Sequence, residues 1–324
     1  MTPSTAPIPI VHPAVSADRV SGRRLPRLRR VPAPRSPRAT GVMLVIGSCL
    51  SLQFGAALAT QLFPVFGSWG TTVIRLGAAS ILLLAVFRPK VWQWTRQQWL
   101  AVTLFGLTLA GMNGFFYAAI ERIPLGIAVS IEFLGPLALA AALSRRWRDA
   151  LWIGLALAGV GLFYVDDLLG TSRLDPLGVA FVLIAGLFWA LYILAGHRVS
   201  ATVPGAGGLA VAVAVGTLAV LPFGASGFVG VEWDGRLLML CLGAALLASV
   251  IPYSMEFAAL RRLPRPVFGL LLSLEPVIAT IAGWLLLGQA ASALAIGAVV
   301  LVVAASAGST ATASDPQPGS PSPS

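Results

Sequence analysis

Four charged side chains stand inside apolar segments of this sequence: Arg75, Glu132, Glu256 and Glu275. A charge near the centre of a membrane-length helix costs about 2.5–3.5 kcal/mol on insertion scales, so a neutral residue would insert more easily. Residues kept there despite that cost pair with one another, bind a charged ligand or carry protons. These four are therefore the first candidates for chemistry.

Depth along the segments separates the four candidates. With a rise of about 1.5 Å per residue, Arg75, Glu132 and Glu275 are predicted near mid-depth. Glu256 lies closer to the inner end of its segment, where facing cytoplasmic water is an alternative role. Two mid-depth carboxylates then share one cation, so one of them is left to titrate or to bind a substrate ammonium. The alternative is a static Arg75–Glu132 ion pair that only joins two helices.

Neutral polar and aromatic residues occur in the same segments. Asn113 and Tyr117 are four residues apart and therefore share one face of a helix. Further residues of this kind are Gln53, Trp189, Tyr192 and Tyr253. Together they could line a site for a small polar ligand; taken singly, each could equally form interhelical hydrogen bonds or an interfacial aromatic belt.

Motifs for other chemistries are missing from the sequence. It contains no GxxxxGK[ST] loop and a single lysine, Lys90, which argues against ATP-driven transport by this chain alone. It contains no HExxH, CxxC or GxSxG motif, so we do not expect an enzyme. Cys49 and Cys241 both lie in apolar segments, and we expect no disulfide, no metal site and no cofactor.

Composition defines the protein class. The chain has 324 residues, of which 57% are hydrophobic and 10% charged, and its mean hydropathy is +0.87. No soluble domain could bury that much apolar surface, so we predict a polytopic, all-α membrane protein. The net charge of +10 does not indicate nucleic-acid binding, because Arg and Lys are confined to the N-terminal tail and short loops, apart from Arg75.

The apolar segments predict ten transmembrane helices of about 20 residues each. The first is long enough to span the bilayer, which favours a span over a cleaved signal sequence. Proline-, glycine- and charge-containing turns separate the segments. The predicted spans are 41–62, 66–87, 98–119, 124–143, 148–165, 176–196, 205–224, 236–259, 266–287 and 290–308.

Orientation follows from the distribution of basic residues. With both termini inside, eighteen Arg and Lys residues face the cytoplasm and three face outside. The outer three are Arg122, Arg173 and Arg236. The positive-inside rule therefore predicts cytoplasmic termini.

An internal repeat relates the two halves of the chain. Residues 118–136 align without gaps on 258–276, with proline-to-proline spacing preserved between Pro124–Pro136 and Pro264–Pro276. Since each half has five spans, the halves enter the membrane in opposite orientations. This is a 5+5 inverted-topology repeat, which predicts a site near the midplane at the interface between the halves. The predicted units are a disordered Arg/Pro-rich cytoplasmic tail (1–40), two five-helix repeats (41–167 and 176–308) and a disordered C-terminal tail (309–324).

Two motifs carry a family resemblance. PLGIAVSIEFLGP (124–136) and PYSMEFAALRRLP (252–264) resemble the threonine/homoserine exporters, in the EamA branch of the drug/metabolite transporter superfamily. The resemblance covers about residues 41–308 and implies ten helices, a central cavity and proton-coupled export of small amino acids. It assigns Glu132, Glu256 and Glu275 to acidic positions of the family pattern and Arg75 to its basic position. Gln289 departs from that pattern, which usually has Glu there.

The sequence therefore predicts a secondary active exporter of threonine/homoserine-like amino acids or related metabolites, working as a proton antiporter in the bacterial inner membrane. Its substrate and proton pathway is predicted to include Arg75, Glu132, Glu275, Glu256, Asn113 and Tyr117. Expected partners are a small-molecule substrate, protons and the lipid bilayer, but no nucleic acid. A small-residue face at Gly154, Ala158, Gly159 and Gly161 makes a homodimer an open alternative to ordinary helix packing. Export of a drug or another metabolite, and a membrane sensor or scaffold, remain the alternative functions.

Overall fold

The regular elements of this protein are helices, and the computed structural model has no strand in the residues it describes, which are 37–144, 147–170, 174–260 and 262–312. A π-helical segment, Leu246–Val250, joins α9 to α10. The helices are α1 (Pro37–Ala59), α2 (Phe63–Phe87), α3 (Arg96–Ile120), α4 (Leu125–Glu132), α5 (Leu134–Ser144), α6 (Trp147–Leu168), α7 (Pro176–Thr202), α8 (Gly207–Gly224), α9 (Gly235–Ala245), α10 (Ile251–Leu260), α11 (Arg265–Leu272), α12 (Glu275–Leu287) and α13 (Ala293–Thr312).

The predicted tails fall largely beyond these ranges. Residues 1–36 and 313–324 lie outside the described residues, as do Arg145, Arg146, Arg173 and Arg261, which entered the orientation count. The helical ends differ slightly from the predicted tail boundaries, since α1 begins at Pro37 and α13 ends at Thr312.

Polar residues at the loop–helix junctions determine where several helices begin. Thr95 and Gln98 form a reciprocal capping box at the start of α3. Asp175 accepts the backbone N–H of Leu177 at 2.8 Å and precedes Pro176, a favourable first residue of α7. Asp234 caps α9 in the same way, and each cap satisfies a backbone donor that the helix itself leaves unpaired.

By length and hydropathy, the described residues contain nine stretches able to cross a membrane, so the predicted count of ten is not confirmed. The first stretch, Arg38–Phe87, has 50 residues and includes both α1 and α2. As one straight helix it would extend roughly 75 Å, more than twice the hydrocarbon thickness. A 3-10 turn at Thr60–Leu62 and the positive φ of Gly67 (66°) interrupt it.

Contacts between the ends of antiparallel helices define the two ends of the helical bundle. Gly41 of α1 lies against Leu263, next to the end of α10, and Gly207 of α8 lies against Pro89, beyond the end of α2. We call this end the near face. At the opposite end, the far face, Arg122 after α3 meets Asp175 before α7.

Two groups of helices face one another across the bundle. The first lobe consists of α3, α4, α5 and α7, which contact one another, and the second consists of α1, α9, α10, α11 and α12. Each lobe thus takes helices from both halves of the sequence. The pair α2–α8 on one side and the pair α6–α13 on the other contact both lobes.

The proline-flanked segments form short helix pairs. The first member of each pair, α4 or α11, has eight residues and follows a proline of almost identical conformation, Pro124 (φ −57°, ψ 142°) or Pro264 (φ −58°, ψ 143°). Both pairs are interrupted just before the next proline, Pro136 or Pro276, because a proline ring removes the i→i−4 hydrogen bond. The first interruption directly follows Glu132, and the second directly precedes Glu275.

Small residues allow the closest helix contacts. A Cβ atom on Gly186 of α7 would lie 2.9 Å from the carbonyl oxygen of Glu132, so α4 and α7 meet through backbone atoms. On α6, Gly159 packs against Ala298 of α13, whereas Gly154 and Gly161 have open space around them. The homodimer suggested by this small-residue face stays a prediction.

Candidate functional site

A cavity of about 420 Å³ lies between the two lobes, within the range typical of small-molecule sites. It reaches from mid-depth towards the near face, because its walls include the near-face parts of α5, α11 and α13. Both interrupted helix pairs contribute to it. The lining residues are Leu52, Gln53, Ala56, Arg75, Met112, Asn113, Phe116, Tyr117, Val129, Glu132, Phe133, Pro136, Leu137, Ala140, Trp189, Tyr192, Ile193, Tyr253, Glu256, Phe268, Gly269, Leu272, Glu275, Ser306, Ser309 and Thr310.

The structure brings all six sequence-predicted site residues to this cavity. They are Arg75, Asn113, Tyr117, Glu132, Glu256 and Glu275. The additional polar and aromatic candidates Gln53, Trp189, Tyr192 and Tyr253 line it as well. These residues come from helices that are far apart in sequence.

Arg75 is the cation of the site and is only 2% exposed. Its Nη2 donates to Oδ1 of Asn113, and its Nη1 donates to the carbonyl oxygen of Ala248 at 3.1 Å. The guanidinium carbon lies 4.5 Å from the ring centroid of Tyr117, a cation–π distance. Its Nε has no hydrogen-bond partner among the described residues. The guanidinium is therefore oriented by three neighbours, and its two hydrogen bonds use two of its five N–H donors.

Pro252 explains why a backbone carbonyl is available to Arg75. Proline has no N–H, so the carbonyl four residues earlier, that of Ala248, loses its helical donor. Ala248 also lies in the π-helical segment between α9 and α10. A proline inside a helix can cause a kink alone, but here the carbonyl that it leaves unpaired accepts from Arg75 and so belongs to the site.

The static ion pair between Arg75 and Glu132 is not formed. Among the described residues, the ion pair present is that of Arg122 and Asp175 at 2.8 Å on the far face. Its hydrogen bond from Arg122 holds the pKa of the exposed Asp175 carboxyl below the usual value. Glu132 is 8% exposed at the end of α4, and its carboxylate is not neutralised by a direct contact with Arg75.

Glu256 and Glu275 face the same cavity from the second lobe. Ser48 of α1 donates to Oε1 of Glu256 at 2.6 Å, and the Cys49 thiol lies 3.9 Å from Oε1 of Glu275. Glu256 therefore does more than face cytoplasmic water, since it lines the cavity and accepts a hydrogen bond from the buried Ser48. The cavity lining thus contains one cation, Arg75, and three carboxyl groups, those of Glu132, Glu256 and Glu275.

The remaining wall of the cavity is apolar and aromatic. Phe133 and Trp189 meet edge to face with their ring centroids 4.9 Å apart. Met112, Ile193 and Leu272 extend this surface. An apolar wall beside a charged cluster suits a ligand that has both an ionic group and a hydrocarbon part.

Sequence reasoning missed three contributors: the carbonyl of Ala248, Ser48 and Cys49. A backbone carbonyl has no sequence signal of its own, although Pro252 indicated which one would be free. Ser48 and Cys49 are ordinary residues of an apolar helix, and only the packing of α1 against α10 and α12 reveals their carboxyl partners. In the described part of the chain, no group of three or more His, Cys, Asp or Glu side chains is arranged to hold a metal ion.

Known proteins resemble this chain in sequence and in fold. Residues 176–311 match the EamA-like transporter family. The chain is 38% identical over 263 residues to the threonine/homoserine exporter RhtA of Escherichia coli (strain K12), covering 80% of this chain and 88% of that protein. It is 39% identical to RhtA of Salmonella typhimurium (strain LT2), covering 81% and 88%. A crystal structure of another protein shares the fold, with a TM-score of 0.56 and 20% sequence identity. The matched region covers 85% of this chain and 97% of the other chain.

Proposed function

Because the chain belongs to the threonine/homoserine exporter family of EamA-like transporters, we propose that it is a secondary exporter of small zwitterionic amino acids. Its curated relatives are transporters, and the chain is a multi-pass bacterial membrane protein. The observation that carries the proposal is the buried Arg75 in the same cavity as Glu132, Glu256 and Glu275. Each ionic group of an amino acid finds an opposite charge in this set.

The substrate carboxylate binds Arg75 in this proposal. Asn113, Ala248 and Tyr117 orient the guanidinium, and its two hydrogen bonds leave N–H donors on Nη1 and Nη2 for the carboxylate. An arginine held in place by such contacts loses little side-chain entropy on binding, which favours recognition of a planar carboxylate. The substrate ammonium binds one of the carboxylates, so the zwitterion adds no net charge to the membrane interior.

Proton coupling uses Glu132 and Glu275. When a proton from outside neutralises the carboxylate that holds the ammonium, that carboxylate attracts the substrate less and the substrate leaves outwards. Release of the proton to the cytoplasm then restores the site. The inward proton gradient drives export in this scheme, and the lobes alternate in exposing the cavity to the two sides.

Ten spans in a 5+5 inverted repeat complete the proposal. The pattern of helix contacts supports this repeat. If each helix is replaced by its counterpart in the other half, the contact α3–α7 becomes α1–α10, while α2–α8 and α6–α13 each become themselves. All four contacts are extensive. The break between α1 and α2 supports counting Arg38–Phe87 as two spans. We further propose that the near face is cytoplasmic in the bacterial inner membrane.

Reconstitution tests the function directly. Liposomes that contain the purified protein should take up labelled threonine or homoserine by exchange against the same unlabelled amino acid inside. Empty liposomes serve as the control. Failure of every small zwitterionic amino acid to exchange would contradict the proposal.

Reporter insertion tests the orientation. A reporter active only outside the cytoplasm should be active when inserted after Gly170 and Gly230, exposed loop tips of the far face. It should be inactive after Gly205, an exposed tip of the near face, and at Ser324. The reverse pattern would overturn both the orientation and the direction assigned to transport.

A second candidate is export of a larger amphipathic metabolite or drug. The aromatic wall formed by Phe133 and Trp189 and the cavity volume of about 420 Å³ favour it, since threonine alone leaves much of that space unfilled. Inhibition of threonine exchange by such a compound, at a lower concentration than unlabelled threonine requires, would support this second candidate.

A further inference from the structure

The contact between α4 and α12 differs from two other large contacts between helices of the two sequence halves, α3–α7 and α6–α13. The pair α3–α7 is linked at both ends, by Arg122–Asp175 on the far face and by the hydrogen bond from Gln98 to the Thr202 carbonyl oxygen (2.8 Å) on the near face. The pair α6–α13 is also linked at both ends. Its links are Ser292 to Asp166 at 2.7 Å and Trp152 to Thr312 at 3.1 Å.

The pair α4–α12 is linked at the far face. The helices that continue these two towards the near face, α5 and α11, diverge. Towards the near face, α5 and α11 stand on opposite walls of the cavity, with Leu137 on one and Phe268 on the other. Since α4 belongs to the first lobe and α12 to the second, their contact closes the far end of the space between the lobes.

Gln289 makes the polar link in this contact. Its Oε1 accepts the backbone N–H of Leu125, the first residue of α4, at 3.0 Å. Pro124 precedes this residue, so the donor is one of those that a helix start leaves unpaired. The Gln289 side chain thus accepts the hydrogen bond of an N–H group at the start of α4, the helix that ends at Glu132.

The local backbone is built around that side chain. Gly288 adopts a left-handed conformation (φ 64°) after α12, and the N–H of Gln289 donates to the Gly283 carbonyl at 3.1 Å. A Cβ atom on Gly283 would lie 2.7 Å from Gln289 Oε1, and one on Gly126 would lie 2.8 Å from the Cα of Thr280. Gly126 is therefore needed for α4 and α12 to approach this closely, and Gly283 leaves room for the Gln289 amide.

We propose that Gln289 is a positioning residue that latches the far end of the cavity shut through the N–H of Leu125. The inference rests on the proposed export function for its meaning, because outward release requires this contact to open. A single hydrogen bond of this kind changes an equilibrium by about threefold to tenfold. Its loss therefore shifts the lobes towards a state that is open at the far face.

Thiol labelling measures that shift. Val129 lines the cavity from α4 and is 2% exposed. In a Cys49→Ser, Cys241→Ala background, Val129→Cys is reacted in membrane vesicles with an impermeant thiol reagent applied from the far face. A separate Leu169→Cys variant, at an exposed far-face position, identifies that side of the vesicle without relying on the proposed orientation.

Adding Gln289→Ala to the Val129→Cys variant should increase far-face labelling of the introduced thiol by about threefold to tenfold. Gly283→Ala should do the same, because the added methyl group displaces the Gln289 amide. Gln289→Glu should restore the low rate, since a carboxylate oxygen also accepts from Leu125. Gln98→Ala removes an interhelical glutamine hydrogen bond at the opposite face and should leave far-face labelling unchanged.

Two results would overturn the latch. One is a labelling rate in Gln289→Ala equal to that of the parent, and the other is an equal increase in Gln98→Ala, which would indicate general loosening. If Gly283→Ala does not fold, Gln289→Ala and Gln289→Glu still decide the question. Labelling needs no transported substrate, so failure of amino-acid exchange would reject the proposed function without affecting this measurement.

Discussion

Arg75→Gln is expected to weaken amino-acid binding by about tenfold to a hundredfold while the protein still inserts in the membrane. A hydrogen bond to a charged group contributes about 1.5–3 kcal/mol, and glutamine lacks the charge that attracts the substrate carboxylate. Binding is measured as the concentration of threonine that half-saturates exchange in proteoliposomes.

Arg122→Gln is the matched control for this change. Arg122 forms an ion pair with Asp175 on the far face, where water screens the interaction, and exposed pairs contribute little. The same arginine-to-glutamine replacement there should leave exchange almost unaltered. Equal half-saturation in the parent and in Arg75→Gln would refute the role of Arg75 in carboxylate binding.

Glu132→Gln and Glu275→Gln are each expected to abolish accumulation of threonine driven by a pH gradient. Glutamine resembles a protonated glutamate in shape but cannot release a proton, so the gradient no longer acts on the site. Downhill exchange, which needs no net proton movement, should survive better than accumulation in these variants. Both activities are measured in the same proteoliposomes, with and without an imposed pH difference.

Glu232→Gln is the control for this experiment, because Glu232 is exposed in the loop before α9 and does not line the cavity. Its pH-driven accumulation should match that of the parent. If both Glu132→Gln and Glu275→Gln still accumulate threonine against its gradient, these carboxylates do not couple protons to export.

The sequence predicted the contents of the site better than its arrangement. Arg75, Glu132 and Glu275 were identifiable because a charge in hydrocarbon is costly wherever the helix lies, so residue type and depth suffice. The pairing of helices was not identifiable. Contacts between apolar helices in a membrane depend on shape and on small residues such as Gly186. The contacting face and the lipid-facing face are both apolar, so no hydrophobic periodicity in the sequence distinguishes them.

The composition of the lobes illustrates this limit. The inverted repeat predicted a site between the two halves of the sequence. The structure instead builds each wall of the cavity from both halves, with α3 and α4 beside α7 in one lobe and α1 beside α10 in the other. Contacts of this kind join residues more than a hundred positions apart, such as Ser48 and Glu256, and no local pattern specifies them.

Gln289 shows the same limit at a single residue. From the sequence it was only a departure from an acidic family position. The structure gives it a partner, the N–H of Leu125, which an amide oxygen satisfies as well as a carboxylate does. An amide at this position therefore makes the hydrogen bond without carrying a charge.

The partners of Arg75 have a consequence for how the protein is made. Asn113 and the Ala248 carbonyl come 38 and 173 residues later in the chain, so α2 emerges from the ribosome long before Ala248 is synthesised. Until then, the cost of inserting the arginine must be met by the apolar residues of its own stretch, Arg38–Phe87. Arg75 therefore enters the membrane before its Ala248 partner exists, and the hydrophobicity of α1 and α2 must suffice for that step.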